Sequence, residues 1–106
     1  MDYIIIKTAT DNYKEAKSIS KNLVENKLAS AVHIQKIESI YRWQNKVENI
    51  KEYTLSIRTI KSNFQKISDY IKNNHHYITP EILSIKIENG SPEFLSWIEE
   101  NLGPLN

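Results

Sequence analysis

A chain of 106 residues is long enough for one sizeable core and short enough that a single domain over 1–106 is expected. Its 14 basic and 13 acidic side chains nearly cancel, so the sustained positive field that phosphate backbones attract is missing and no nucleic-acid partner is expected. With no cysteine, disulfides, thiolate nucleophiles and thiolate metal cages are excluded together, which fits a reducing compartment and a cytoplasmic protein.

The opening Met1-Asp2-Tyr3-Ile4-Ile5-Ile6-Lys7 is acidic before a short apolar run and cannot span a bilayer, so no membrane association is expected. Tyr3 to Ala9 reads as a central strand covered on both faces, because apolar and β-branched side chains follow one another almost without interruption. From Tyr13 the apolar residues change to a helical period through Ala16, Ile19, Leu23 and Val24, which predicts a helix to about Asn26 with Thr10 or Asp11 as its cap. Val32 to Trp43 returns to strand character. Its apolar phase slips from even positions (Val32, Ile34) to odd ones (Ile37, Tyr41, Trp43), which predicts a bulge near Gln35 and Lys36.

Gln44-Asn45 has the chemistry of a tight hairpin turn, and Tyr53 to Thr59 alternates as a half-buried third strand. Ser62 and Gln65 stand at capping-box spacing ahead of a helix over 63–74. Leu83, Ile85 and Ile87 alternate as strand four after Pro80, which biases Thr79 to an extended conformation. Ser91-Pro92 opens a last helix carrying Phe94, Leu95, Trp97 and Ile98, where the aromatic pair reads as core and Glu99 and Glu100 as a solvated end. The order β-α-β-β-α-β-α predicts an α+β fold, a ferredoxin-like βαββαβ sandwich with an extra C-terminal helix and a long β2-β3 hairpin. The open sheet face is expected to carry Thr54, Ser56, Arg58, Ser84 and Lys86. Such a hairpin presents a long edge that closure by a ring of subunits would satisfy.

The densest group of reactive side chains is His75-His76-Tyr77-Ile78-Thr79-Pro80-Glu81-Ile82, on a connection between helix and strand where functional residues concentrate. Imidazole nitrogen and carboxylate oxygen suit Cu(II) or Zn(II), so His75, His76 and Glu81 are the candidate metal ligands, with no cofactor obligatory. The plainer role for the histidines is to meet the carbonyl end of the preceding helix. Tyr41, Trp43, Arg58, Tyr77 and Glu81 are the candidate ligand-binding residues, with Glu81 free to accept hydrogen bonds from Arg58 or Tyr77. Tyr41 and Trp43 have the look of a stacking platform, but aromatics on a hairpin more often pack against a neighbouring strand or subunit. Phosphate-cradling glycine loops, Gly-x-Ser-x-Gly elbows and His-Glu-x-x-His helices are absent.

Several segments together resemble the CutA divalent-cation tolerance proteins: Leu28-Ala29-Ser30-Ala31-Val32-His33-Ile34, Ile37-Glu38-Ser39-Ile40-Tyr41-Arg42-Trp43, Glu52 with Leu55-Ser56-Ile57-Arg58-Thr59, the histidine segment above, and Phe94-Leu95-Ser96-Trp97-Ile98. The resemblance implies a ferredoxin-like fold and a tight homotrimer. It also implies inter-subunit clefts lined partly by the histidine, tyrosine and glutamate of the His-Tyr-Pro-Glu motif. Five departures stand out. Ala31 stands where many relatives have cysteine, which with a single methionine argues against a soft copper(I) site. His76 replaces the usual proline, Asn45 a hairpin glycine and Arg58 a lysine. His33 stands where asparagine is frequent.

The expected function is therefore that of a trimeric cytoplasmic protein holding divalent metal ions such as copper, or a small anionic ligand, in inter-subunit clefts and acting in metal response or signalling, not an enzyme. Two alternatives stand beside it. One is an enzyme in which His75 and Glu81 act as acid and base while Tyr77 and Arg58 orient an anionic substrate. The other is a structural trimer anchoring an unidentified protein partner.

Overall fold

A computed structural model describes residues 1–104; Leu105 and Asn106, part of the expected domain, lie outside the described residues. Strand β1 (Tyr3–Thr10) leads to α1 (Tyr13–Glu25), then to β2 (Ala31–Trp43) and β3 (Lys46–Ile60). A single 3-10 turn, Lys61–Asn63, precedes α2 (Phe64–Asn74), and β4 (Leu83–Lys86) and α3 (Pro92–Glu100) complete the chain. The sheet order is β2-β3-β1-β4 with every neighbouring pair antiparallel, the α+β, ferredoxin-like arrangement expected, with its added C-terminal helix. Among the described residues no helix is long and apolar enough to cross a membrane.

Directly opposed residues of an antiparallel pair share a sheet face, so the pairing register sorts the side chains. Ile4, Ile6, Leu55 and Ile57 on one face pack with Ala16, Ile19 and Leu23 of α1 and Ile67 and Ile71 of α2 into one buried cluster. Truncating any of the fully buried leucines or isoleucines would cost about 2–5 kcal/mol. The other face is open along much of its length. There β1 contributes Tyr3, Ile5 and Lys7, each only partly covered, so this strand is central but sealed on one side. α3 closes one end of that face: Ile98 and Ile60 are buried, and Tyr3 Oη donates to Glu99 Oε2 at 2.8 Å.

Several local expectations are corrected. The register of β2 against β3 runs unbroken from Ala31↔Arg58 to Trp43↔Lys46, so there is no bulge. The apolar phase changes because the environment does. Val32 and Ile34 face the helices, while Ile37, Tyr41 and Trp43 lie on the opposite face of a strand that has outrun them. Asn12, not Thr10 or Asp11, caps α1 by accepting from Glu15 N–H at 2.9 Å; Thr10 Oγ1 instead accepts from Asn12 N–H and donates to Glu15. The Ser62 capping box does not form, because Ser62 is already inside the 3-10 turn and Gln65 reaches forward to Asp69.

Ser84 and Lys86 oppose Ile6 and Ile4 and so lie on the helix-side face; Leu83 and Ile85 take the open face, about half exposed. Phe94 and Trp97 are not core: their rings stack at 5.6 Å with 45% and 41% of their surface exposed, since only the Ile98 side of α3 meets the sheet.

The hairpin turn is as expected, a two-residue connection with Gln44 and Asn45 both at positive φ, 49° and 64°, the primed geometry that matches strand twist. Beyond the helices the hairpin stands clear of the core and stretches the molecule to 44 × 26 × 20 Å.

Candidate functional site

Antiparallel pairing places the C-terminal end of β1, the base of the hairpin and the start of β4 at one end of the sheet, because Thr10 opposes Tyr53 and Lys7 opposes Leu83. The first turn of α1 and the segment leaving α2 meet there. His75 is the first residue past α2, with extended backbone at φ −106° and ψ 136°. That conformation turns both imidazoles away from the α2 carbonyls and toward α1 and β1.

The His75 ring is fully buried. Its Nε2 lies 2.8 Å from the Ala9 carbonyl oxygen and its Nδ1 accepts the Tyr77 N–H at 3.0 Å. A carbonyl can only accept, so the neutral ring carries its proton on Nε2 and turns the Nδ1 lone pair inward. Glu15 Oε2 is 3.5 Å from that Nδ1. His76 lies half exposed between two carboxylates, Nδ1 2.9 Å from Glu15 Oε2 and Nε2 2.9 Å from Asp11 Oδ1.

The hydrogen bond to Glu15 is the main reason the His76 pKa is raised; Asp11 adds to it while partial burial opposes. For Glu15, partial burial pushes upward, but hydrogen bonds from Thr10 and His76 and the charge of His76 outweigh it and the pKa is lowered. Proton and charge are thus shared across α1 and the segment after α2. One ligand atom each from Glu15, His75 and His76 lies within 4.8 Å of the others. Glu15, not Glu81, is the carboxylate that joins the histidines, because Thr79-Pro80 carries Glu81 on toward the hairpin.

The second feature is a cavity of about 580 Å³ between the hairpin base and residues 77–81, lined by Tyr41, Trp43, Glu52, Tyr77 and Glu81 together with small and aliphatic neighbours. Tyr77 Oη donates to Glu52 Oε2 at 2.7 Å. Burial and the Glu52 carboxylate together raise the Tyr77 pKa strongly. Partial burial, Glu52 and Glu48 raise that of Tyr41. Both phenols are therefore neutral donors. Arg58 is not part of this cavity. It lies six positions along β3 from Glu52, about 20 Å of extended strand, and donates to the Ser56 carbonyl. The expected Arg58 contact with Glu81 is absent, and with it the cation that an anionic ligand would need.

The structure thus separates the sequence candidates. His75 and His76 converge with Glu15, whereas Tyr41, Trp43, Tyr77 and Glu81 converge with Glu52 around the cavity. The pairing of His75 with Glu81 for acid-base chemistry is not present. Three residues were missed: Asp11, Glu15 and Glu52. Glu15 could have been suspected, since Asn12-x-x-Glu15 has capping-box spacing and the topology brings that turn to the histidine segment. Nothing in the local pattern around Glu52 marked it as buried.

A family model described as the CutA1 divalent ion tolerance protein matches residues 4–101. Over 89 residues the chain is 40% identical to the divalent-cation tolerance protein CutA of Archaeoglobus fulgidus, covering 84% of this chain and 87% of that relative. A solved structure from the same organism, described as the periplasmic divalent cation tolerance protein CutA, superposes with TM-score 0.90 at 37% identity over 93% of this chain and 97% of that one. CutA1 from Oryza sativa is similar at TM-score 0.92 and 29% identity, over 97% and 95% of the two chains.

Proposed function

The chain belongs to the CutA1 divalent ion tolerance family, and from that premise we propose that it binds a divalent transition-metal cation, Cu(II) or Zn(II), through Glu15, His75 and His76. The observation that carries this reading is the approach of those three ligand atoms to within 4.8 Å of one another. Two imidazole nitrogens and one carboxylate oxygen match the preferences of either ion, and bonds of about 2.0–2.2 Å need only a modest closing of the group. His75 already has the supporting contact usual for a metal-bound imidazole, an Nε2–H donated to a backbone carbonyl. Binding must displace the shared proton of His76 and the Tyr77 N–H from His75 Nδ1, so affinity rises with pH through the raised His76 pKa.

Calorimetry with Cu(II) and Zn(II) tests the assignment. Binding is expected in the native chain and in Glu81→Ala, and is expected to be lost in His75→Ala and Glu15→Ala. A native chain that takes up neither ion, or a Glu15→Ala chain that binds as before, would sink it.

The assembly we propose is a homotrimer. Its support is the pair of unshielded edge strands, β2 and β4, with exposed Ile40, Trp43 and Val47 on the hairpin and exposed Leu83, Ile85, Phe94 and Trp97 on the open face. An edge and apolar surface of this kind call for partners. Three chains of 12.4 kDa would give a species of about 37 kDa by light scattering. Metal response in the cytoplasm is the setting we favour, supported by the cysteine-free composition; cell fractionation tests it.

A further inference from the structure

The cavity between the hairpin base and residues 77–81 is separate from the histidine group and has a chemistry of its own. Its charged lining groups are the carboxylates of Glu52 and Glu81, and three aromatic rings, Tyr41, Trp43 and Tyr77, complete much of the wall. Glu52 is 7% exposed. Tyr77 Oη occupies its Oε2, and its other oxygen accepts no hydrogen bond among the described residues. No lysine, arginine or histidine comes within ion-pair distance of Glu52 or Glu81 among the described residues.

The second oxygen of Glu52 is not among the buried unsatisfied atoms of the described residues, so it opens toward the cavity as a free acceptor for a cationic donor. The phenols beside it are held neutral, so the field inside the cavity is that of the two carboxylates. Aromatic faces add attraction for a cation, most when it is desolvated. An anion would meet repulsion here, and a neutral apolar ligand would leave the second oxygen of Glu52 without a partner. A hydrated metal ion would gain nothing from the rings.

From these features we infer that the cavity is a binding site for an organic ammonium cation, a protonated primary amine whose ammonium group meets Glu52 and Glu81 and whose aliphatic stem lies against Tyr41, Trp43 and Tyr77. The volume, about 580 Å³, is within the usual range for small-molecule sites. Glu52 is the anchor because it is the buried charge; Glu81, at the exposed rim, contributes less. This inference does not rest on metal binding by Glu15, His75 and His76.

The test is isothermal titration of the full chain with butylammonium, 1,4-diaminobutane, butanol and butyrate in metal-free buffer. Both amines are expected to bind, while butanol and butyrate are not. Glu52→Gln should weaken the amines at least about tenfold, as loss of a charged acceptor does, and Glu81→Gln should weaken them less. Because the buffer holds no metal, and Zn(II) titrated afterwards should not displace the amine, failure of the metal reading and failure of this one are distinguishable. Absence of amine binding at about 10 mM, roughly −2.7 kcal/mol, would overturn the inference. So would butyrate binding as well as butylammonium, or unchanged amine affinity in both folded glutamine variants.

Discussion

Tyr77 Oη and Glu52 Oε2, 25 positions apart in sequence, meet at 2.7 Å across the end of the sheet and tie the segment after α2 to the base of the projecting hairpin. Glu52 is buried and Tyr77 is its one hydrogen-bond donor among the described residues. Removing the phenol oxygen therefore leaves a carboxylate with burial and no partner. Tyr77→Phe is expected to lower stability by about 1–3 kcal/mol, read by urea denaturation at fixed protein concentration. A double-mutant cycle with Glu52→Gln should show coupling, because the two groups share one bond. Strict additivity would mean that the contact contributes nothing.

The Glu15–His76 contact makes stability depend on pH from both sides. Glu15 has a lowered folded pKa, so its contribution is complete above the unfolded value, about 4.5, and is lost as pH falls through the folded one. His76 has a raised folded pKa, so its contribution is complete below about 6.5 and is lost as pH rises through the folded value. Both operate together between about pH 4.5 and 6.5. With His76 about half exposed the effect is screened to less than about 1 kcal/mol. Metal-free melts of His76→Gln should lose the alkaline-side decline, and those of Glu15→Gln both slopes. An NMR titration showing His76 below its ordinary pKa would contradict the geometry.

Much of this arrangement was legible in the sequence, and the misses share a physical origin. Strand order, the exposed hairpin and its Gln44-Asn45 turn follow from periodicity and turn chemistry, which act locally. A change of apolar phase near Gln35 has the same pattern in sequence as a change of register. In fact Val32 and Ile34 face helices that end before Ile37, so one continuous strand meets two environments. Phe94 and Trp97 depart from their expected core placement for the same reason: helical spacing shows that residues share a face, not what covers it. At the site, the histidines stood out because they are adjacent in sequence. Glu15 lies about sixty residues away and becomes their partner only once β1 and β4 are paired. Glu52 is masked further, because a charged residue in an alternating strand is ordinarily read as solvent-facing.

The end of α1 leaves room for improvement. Leu28 N–H bonds to the Leu23 carbonyl and Lys27 N–H to the Val24 carbonyl, each at 3.0 Å, the paired bonds of a Schellman ending. Lys27, the residue between them, has φ 58°, a left-handed conformation that glycine adopts freely and a lysine does not. Lys27→Gly is expected to stabilise the chain by about 0.5–1 kcal/mol, less than the full left-handed penalty because glycine also loosens the unfolded chain. The Gly103 N–H donates to the Lys27 carbonyl at 2.9 Å, a backbone contact the substitution preserves. A lower melting temperature in the glycine variant would show that the lysine stem contributes packing that outweighs its backbone.

Thr8 presents the opposite case, a side chain whose chemistry the core does not use. It is 1% exposed on the helix-side face of β1, opposite Leu55, and its Oγ1 has no hydrogen-bond partner among the described residues. Leaving a hydroxyl buried and unpaired costs about 1–3 kcal/mol relative to a matched apolar group. Valine has nearly the same shape and the same branching, so it suits the strand and fills the space without that cost. Thr8→Val should therefore raise stability by about 1 kcal/mol, and Thr8→Ala should lower it by leaving a methyl-sized void. Urea midpoints with unchanged slopes would report both effects as changes in stability alone. If Thr8→Val destabilised the chain, the hydroxyl would have to be paired in solution with a group that the packed core does not present.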